Sequence, residues 1–190
     1  GGSPEGLRHF VSPGRVNLIG EHTDYNGGFV FPAAISQSSE IILRKTSDGK
    51  IKLAATDLPD RPVLDINDLG AYKELKWGNY QAGVAYTLQQ AGYDIPSCEI
   101  LYHDSVPLGA GLSSSAAIEV VMALALATLS NEARGITDPV DMIEMAKLSQ
   151  KAENVYCGVS CGIMDQFASA MGKKNCAVLL DCATLGYEYV

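Results

Sequence analysis

A long apolar segment behind a glycine- and serine-rich loop constrains the fold of this chain more than any other feature. The segment, residues 116–129, contains one charged residue, Glu119. It is shorter than the roughly 20 apolar residues that cross a bilayer, so it predicts a buried helix in a soluble protein. Residues 98–103, before the loop, are β-prone, and the chain therefore runs directly from strand to loop to helix.

Other patterns predict early strands and later helices. Runs at residues 9–11, 40–45 and 51–56 are typical of strands, whereas apolar spacing indicates helices over residues 77–91, about 137–156 and 164–172. Thr137 and Asp138 precede Pro139, which predicts the start of the second of these helices there. This order is compatible with an α+β layer.

Composition narrows the class of protein. The chain has 190 residues and a net charge of -8, and it has no basic stripe that would neutralise a phosphate backbone, so we do not expect nucleic acid as a partner. Its five cysteines lack the CxxC pairs of structural zinc sites. We expect buried, reduced thiols and a cytoplasmic protein that has no membrane partner.

The first six residues, GGSPEG, resemble a cloning remnant more than a signal peptide. We expect them to lie outside the folded domain, which is predicted to span residues 7–190.

The loop before the apolar helix reads PLGAGLSSSAA over residues 107–117. Its glycines let backbone N–H groups approach an anion, and its serines stand at a helix start, where the helix dipole favours phosphate. No Gly-Lys-Ser/Thr follows, so it is not a Walker A loop. The glycines and serines alone leave two interpretations open, a phosphate cradle and a loop whose serines only cap the helix.

Two further segments carry candidate chemistry. Residues 13–28 read PGRVNLIGEHTDYNGG, in which Glu21, His22 and Asp24 are suited to gripping sugar hydroxyls. Residues 158–167 read GVSCGIMDQF, in which Asp165 falls in the first turn of a predicted helix. Taken separately, the first segment is typical of a solvated turn, and Asp165 is typical of a residue that complements the helix dipole.

Taken together, the three segments resemble the N-terminal signatures of the galactokinases, in the same order. Galactokinases belong to the GHMP kinase superfamily, with homoserine, mevalonate and phosphomevalonate kinases. The resemblance covers almost everything after residue 6. It implies a two-layer α/β domain with a mixed sheet backed by helices, similar to the second domain of ribosomal protein S5.

The resemblance also implies a role for each matching residue in phosphoryl transfer from ATP to the C1 hydroxyl of galactose. Asp165 would accept or orient the hydroxyl proton, and Arg15 would stabilise the transferring charge. The sugar would be bound by Glu21, His22, Thr23, Asp24 and Gly162. The nucleotide phosphates would be bound by Gly109, Ala110, Gly111, Leu112, Ser113, Ser114 and Ser115. The Mg²⁺ ligands would be Ser115 and Glu153, although Glu153 by its helical context alone is typical of a surface charge.

Galactokinases are roughly twice as long as this chain, so the resemblance implies a missing C-terminal domain and an inactive fragment. Two alternatives stay open. One is a sister kinase for N-acetylgalactosamine, arabinose or another sugar, and the other is a galactokinase-like sugar sensor that transfers nothing. The presence of Arg15, Asp165 and the serine run favours an enzyme.

Overall fold

The computed structural model describes residues 4–107 and 109–190, so the expectations for residues 1–3 and for Leu108 lie outside the described residues. A five-stranded mixed sheet is built from β1 (Arg8–Asn17), β3 (Pro32–Lys45), β4 (Lys50–Ala55), β5 (Val63–Asp65) and β6 (Cys98–Asp104). Its strand order is β1-β3-β6-β4-β5, with β4 and β6 parallel and the other neighbours antiparallel.

Helices cover one face of this sheet. Along β3, Ile41 and Leu43 are buried, whereas Ile42 between them is exposed. The same alternation in β4 and β6 is the pattern of a sheet with one covered face, because successive side chains point to opposite sides. The main core lies between this face and helices α1 (Gly78–Gln90) and α2 (Ser114–Ala133). The predicted α+β architecture is confirmed.

Helix α2 is the predicted apolar helix. By length and composition it is apolar enough to cross a membrane. However, 67% of an apolar 18-residue stretch of this helix is buried inside the protein. Its position against α1 and the sheet is that of a core helix, as predicted.

A smaller antiparallel sheet supports the other end of the domain. It consists of β2 (Phe29–Val30), β7 (Val178–Asp181) and β8 (Tyr187–Tyr189), with β7 in the centre. Helices α3 (Met142–Lys151) and α4 (Met164–Met171) pack beside it, and Phe167 of α4 lies in the centre of a second core cluster.

The predicted start of α3 is wrong. The helix begins at Met142 instead of near Pro139, and Asp141 caps it by accepting hydrogen bonds from the backbone N–H groups of Ile143 and Glu144. At its other end α3 runs into a π-helical turn, Ala152–Tyr156. That turn positions Glu153.

All five cysteines are free thiols, as expected. Only Cys98 is buried, and the other four are partly exposed, so the expectation of burial is wrong for them. Their partial exposure follows from their places: Cys157 and Cys161 lie in the segment between the π-helical turn and α4, and Cys176 and Cys182 flank strand β7.

Candidate active site

Asp165 is the carboxylate on which two distant segments of the chain converge. It lies in the first turn of α4, and its side chain is 32% exposed. Its Oδ1 accepts from Arg15, at 2.8 Å from Nε and 2.6 Å from Nη2. Its Oδ2 accepts a 2.6 Å hydrogen bond from the Ser113 hydroxyl. A strand, a loop and a helix far apart in sequence therefore meet at one acidic group.

A bulge in β1 carries Arg15 to this position. The register between β1 and β3 shifts between Pro13 and Arg15, as expected where one strand bends away from its partner. A Cβ on Gly14 would lie 2.8 Å from the carbonyl oxygen of Leu112, so only glycine permits this approach. The Arg15 backbone N–H then donates to that carbonyl at 3.1 Å, and Nη1 donates to the Gly111 carbonyl at 2.5 Å.

The serine loop joins β6 to α2, as predicted. Gly109 and Gly111 both have φ of +70°, in the left-handed region where glycine is unstrained, and Ala110 and Leu112 alternate with them. Ser113 stands at the N-cap with φ of +58°, but its side chain makes no capping hydrogen bond. The interpretation in which this serine only caps the helix is therefore wrong.

The other two serines of the loop also turn toward acidic groups. The Ser114 hydroxyl donates to Asp104 at 2.9 Å, which ties the first turn of α2 to the end of β6. Ser115 lies near Glu153, and its hydroxyl acts to lower the pKa of that carboxyl. Ser113 and Ser114 thus donate to carboxylates, and the start of α2 has no side-chain cap from Ser113, an arrangement that an anion at the helix N-terminus can use.

Asp24 joins the residue 13–28 segment to α4, the helix that carries Asp165. It begins a short 3₁₀ turn, Asp24–Asn26. The Thr23 hydroxyl holds that turn by sharing its one hydrogen between the carbonyls of Gly20 and Phe29, whose oxygens lie 2.7 and 2.8 Å away. Asp24 Oδ2 accepts from the backbone N–H of Met164 at 3.4 Å. Gly162 lies directly against this carboxylate, with no space for a Cβ.

A cavity of about 400 Å³ opens beside this contact. Asp24 and Gly162 line it, together with Lys147 and Gln150 of α3 and residues of the segment after β7. It is large enough for a small polar molecule, and two of the five predicted sugar-binding residues form part of its wall.

Glu21 and His22 are held by local contacts and do not touch Asp165. Glu21 accepts a 2.8 Å hydrogen bond from the Asn17 amide, and the His22 Nδ1 lies 2.8 Å from the Tyr25 hydroxyl. His22 has φ of +61°, a conformation that costs a non-glycine residue of the order of 1–2 kcal/mol. Such strain is typical of functional loops.

Glu153 is buried, so the interpretation as a surface charge is wrong. The residue is 6% exposed, because the π-helical turn points it inward. Its Oε2 accepts from the Gln166 amide at 2.6 Å and from the Cys161 thiol at 3.4 Å. Burial, and secondarily the negative charge of Asp165, raises the pKa of Glu153.

The sequence predictions missed two residues of this acidic cluster, Glu119 and Gln166. Glu119 is fully buried in α2, and its Oε2 accepts from the Gln166 amide at 3.0 Å. Burial, followed by the charge of Glu153, raises the pKa of Glu119 well above its usual range. A single acidic residue in an otherwise apolar helix was a signal that could have identified Glu119. Gln166 carried no such signal.

The residues predicted to hold Mg²⁺ fit that ion chemically. Ser115 and Glu153 offer hard oxygen donors near each other. Mg²⁺ typically takes one or two carboxylates and completes its shell with phosphates and water. Three carboxylates lie close enough to influence one another's ionisation, with Arg15 as the cation bound to one of them. Within the described ranges, no group of three or more His, Cys, Asp and Glu residues forms a protein-only metal cage.

Comparison with known proteins places the chain in a family. The family model described as "GHMP kinases N terminal domain" matches residues 79–173. The chain belongs to the GHMP kinase family. A second model, "Galactokinase galactose-binding signature", matches residues 1–45 of the chain. The family resemblance inferred from the motifs is thereby confirmed.

Curated relatives of the domain include two bacterial galactokinases. That of Clostridium tetani is 47% identical over 183 residues, covering 96% of this chain and 45% of the relative. That of Bacillus subtilis is 46% identical over 191 residues, covering 99% and 47%. The chain therefore spans about half the length of the curated relatives that it matches.

Solved structures agree with this assignment. The structure of Lactococcus lactis galactokinase complexed with galactose has a TM-score of 0.89 and 40% identity, over 98% of this chain and 47% of that chain. Methanococcus jannaschii mevalonate kinase has a TM-score of 0.79 at 20% identity, over 99% of this chain and 57% of that chain, and shares the fold.

Proposed function

We propose that this chain is the N-terminal part of an ATP-dependent galactokinase that forms galactose 1-phosphate. The observation that carries the proposal is the meeting of Arg15, Ser113 and Asp165, because it joins the sugar signature, the serine loop and the acidic helix at one point. The galactokinases among its relatives support the choice of sugar. We call the longer protein the full-length enzyme, and we expect it in the cytoplasm.

In the proposed mechanism, the sugar hydroxyl binds at Asp165. Both Asp165 oxygens already accept hydrogen bonds, so the C1 hydroxyl takes the place of Ser113 at Oδ2 or shares that oxygen with it. Asp165 thereby aims the hydroxyl oxygen at the γ-phosphate and accepts its proton as the new P–O bond forms. The bond from the γ-phosphorus to the β–γ bridging oxygen breaks in the same transfer, and ADP is the leaving group. Arg15, fixed by Gly111 and Asp165, faces the charge that develops on the transferred group.

The sugar lies against Glu21, His22, Thr23, Asp24 and Gly162 in this proposal. Thr23 acts mainly by shaping the turn, because its hydroxyl is engaged by two backbone carbonyls. The close contact of Gly162 with Asp24 fixes the carboxylate that would accept a sugar hydroxyl. The positions of Glu21 and His22, outside direct reach of Asp165, suit hydroxyls at the far side of the ring.

The triphosphate lies along residues 109–115. Backbone N–H groups of a left-handed loop and of the uncapped helix start suit phosphate oxygens. Ser115 and Glu153 would hold Mg²⁺, which supplies positive charge that neutralises the phosphates during transfer. Phosphoryl transfer depends mainly on such alignment and neutralisation, and the arranged residues provide both.

We expect the isolated 190 residues to have little kinase activity. The curated relatives are about twice as long as these 190 residues. Without the part of the relatives that these residues do not cover, we expect the cleft to be unable to close over ATP and exclude water. The measurement is ADP release from ATP and galactose, with the full-length enzyme at equal concentration as the control. Equal turnover by the two proteins would contradict this expectation.

The proposal is tested with a panel of sugars and the full-length enzyme. Phosphate transfer to galactose, N-acetylgalactosamine and arabinose is followed as ADP release, and ³¹P NMR identifies the phosphorylated carbon. We expect galactose to have the highest kcat/KM and the product to carry phosphate at C1. A preference for another sugar would indicate a sister kinase, and galactose binding without transfer would indicate a sensor; either result would overturn the proposal.

A further inference from the structure

Gln166 connects two buried carboxylates beneath the candidate metal site. Its Nε2 lies 2.6 Å from Oε2 of Glu153 and 3.0 Å from Oε2 of Glu119. Gln166 and Glu119 are fully buried and Glu153 is 6% exposed, so water does not substitute readily for any of these contacts. One amide group therefore supplies hydrogen bonds to an acidic residue on α2 and to another on the π-helical turn.

The chemistry of the cluster requires an amide at this position. A primary amide has two N–H donors on one atom, and here each carboxylate takes one of them. Turning the group over would set its carbonyl oxygen against Oε2 of Glu153. The Gln166 Oε1 is buried, and it has no hydrogen-bond partner among the described residues. The side chain thus leaves its carbonyl oxygen without a hydrogen bond, while its N–H groups donate to the two acidic residues.

These contacts fix the orientation of Glu153. Its Oε2 is held from one side by Gln166 and from another by the Cys161 thiol. The two oxygens of a carboxylate diverge, so immobilising Oε2 sets the direction of Oε1. Gln166 also directly follows Asp165 on α4. The same helical turn therefore carries the predicted catalytic carboxylate and the residue that holds the predicted metal carboxylate.

We propose that Gln166, braced by Glu119, is a positioning residue that holds Glu153 in the orientation needed to bind the divalent cation of the nucleotide. This inference rests on the proposed function, and specifically on Glu153 as a metal ligand. Groups that orient a metal ligand typically change metal affinity by 10- to 100-fold when they are removed. Neither Gln166 nor Glu119 touches the cation in this arrangement.

The experiment measures metal and sugar binding separately in the full-length enzyme. Mn²⁺ is the probe, titrated in the presence of a non-hydrolysable ATP analogue and detected by EPR, and galactose binding is measured by calorimetry. We expect Gln166→Met to weaken Mn²⁺ binding by roughly 10- to 100-fold. The galactose Kd should stay within about twofold, the size of coupling expected between sites that share no contacts. Unchanged Mn²⁺ affinity would overturn the inference.

Gln89→Met is the matched control, because Gln89 donates a hydrogen bond from its amide to the Ile66 carbonyl on the exposed side of α1. It should leave both affinities unchanged. A general loss of stability in Gln166→Met would weaken galactose and Mn²⁺ binding together, which is contrary to the proposal.

A second pair of variants tests the brace even if Gln166→Met does not fold. Glu119→Gln keeps an oxygen that can accept from Gln166, whereas Glu119→Leu removes it. We expect Glu119→Leu to weaken Mn²⁺ binding by about tenfold or more, and Glu119→Gln to restore it to near the wild-type value. Equal Mn²⁺ affinity in the two variants would overturn the inference.

Failure of the proposed function would look different. A wild-type enzyme that binds the nucleotide without Mn²⁺ dependence, or an unchanged Mn²⁺ affinity in Glu153→Gln, would remove Glu153 from metal binding and the proposed metal site with it. A wild-type Mn²⁺ requirement that Glu153→Gln disrupts but Gln166→Met does not would remove only the positioning role.

Discussion

At the scale of single residues, Arg15 shows how much depends on side-chain geometry. Its guanidinium contacts Asp165 through two nitrogen atoms and the Gly111 carbonyl through a third. We expect Arg15→Lys to lower kcat of the full-length enzyme by about 10²- to 10³-fold, because an ammonium group cannot reproduce this fork. Steady-state kinetics measure the effect. Arg8→Lys, at an exposed ion pair with Glu132, is the control and should be near wild type.

Gly162 makes a second prediction at this scale. A Cβ at this position would overlap the Asp24 carboxylate, so Asp24 or the start of α4 would have to move. We expect Gly162→Ala to weaken galactose binding by at least about tenfold, the loss of roughly one hydrogen bond to a charged group. Gly70→Ala is the control, because its added Cβ would come no closer than 4.0 Å to Tyr86. This variant should bind galactose with wild-type affinity. Wild-type galactose affinity in Gly162→Ala would contradict the predicted role of this contact.

Site residues could be predicted from the sequence where they belong to a recognisable motif. The resemblance to galactokinases pointed to Arg15 and Asp165, and the structure brings them into contact. Glu153 could not be recognised as buried, because its inward direction comes from a π-helical turn that helical periodicity does not reveal. Gln166 looked like an ordinary helix residue, since its importance depends on two acids that lie 47 and 13 positions away.

At the scale of elements, helix α2 carries a buried acid whose ionisation should affect stability. The pKa of Glu119 is raised well above its usual range by burial. The folded chain therefore binds this proton more tightly than the unfolded chain, and its stabilising effect is complete below pH about 4.5 and is lost as the pH rises through the raised value.

The matching prediction concerns Glu119→Gln in the absence of metal. This variant cannot ionise, so its melting temperature should fall less between pH 5 and pH 8 than that of the wild type. Thermal unfolding followed by circular dichroism at both pH values measures the difference. Parallel pH profiles for the two proteins would show that Glu119 ionises equally in the folded and unfolded states, contrary to this prediction.

Periodicity predicted the long elements and failed for the short ones. Helices α1, α2 and α4 were expected close to their observed positions, since each has an apolar face or is wholly apolar. Helix α3 starts later than predicted, because Thr137, Asp138 and Pro139 imitate a cap while Asp141 supplies the real one. Strands β2, β5 and β8 have only two or three residues each, and pairing with other strands defines them more than their own sequence does.

At the scale of the whole molecule, the strand order could not be obtained from local patterns. Strand β3 pairs with β1 and with β6, which lies more than 50 residues further along the chain. Only this pairing, with α4 packed against β1, brings residues 15, 113 and 165 together. The sequence predicted the participants through resemblance to a family, and the long-range packing explains why they meet.

The most direct test of the central claim is transfer of phosphate to galactose by the Asp165→Asn variant of the full-length enzyme. Asparagine keeps the shape of the side chain but cannot accept the hydroxyl proton, so we expect kcat to fall by about 10²- to 10⁴-fold. Calorimetry should show that galactose still binds. Turnover equal to that of the wild type would contradict the claim that Asp165 is where the three segments perform their chemistry.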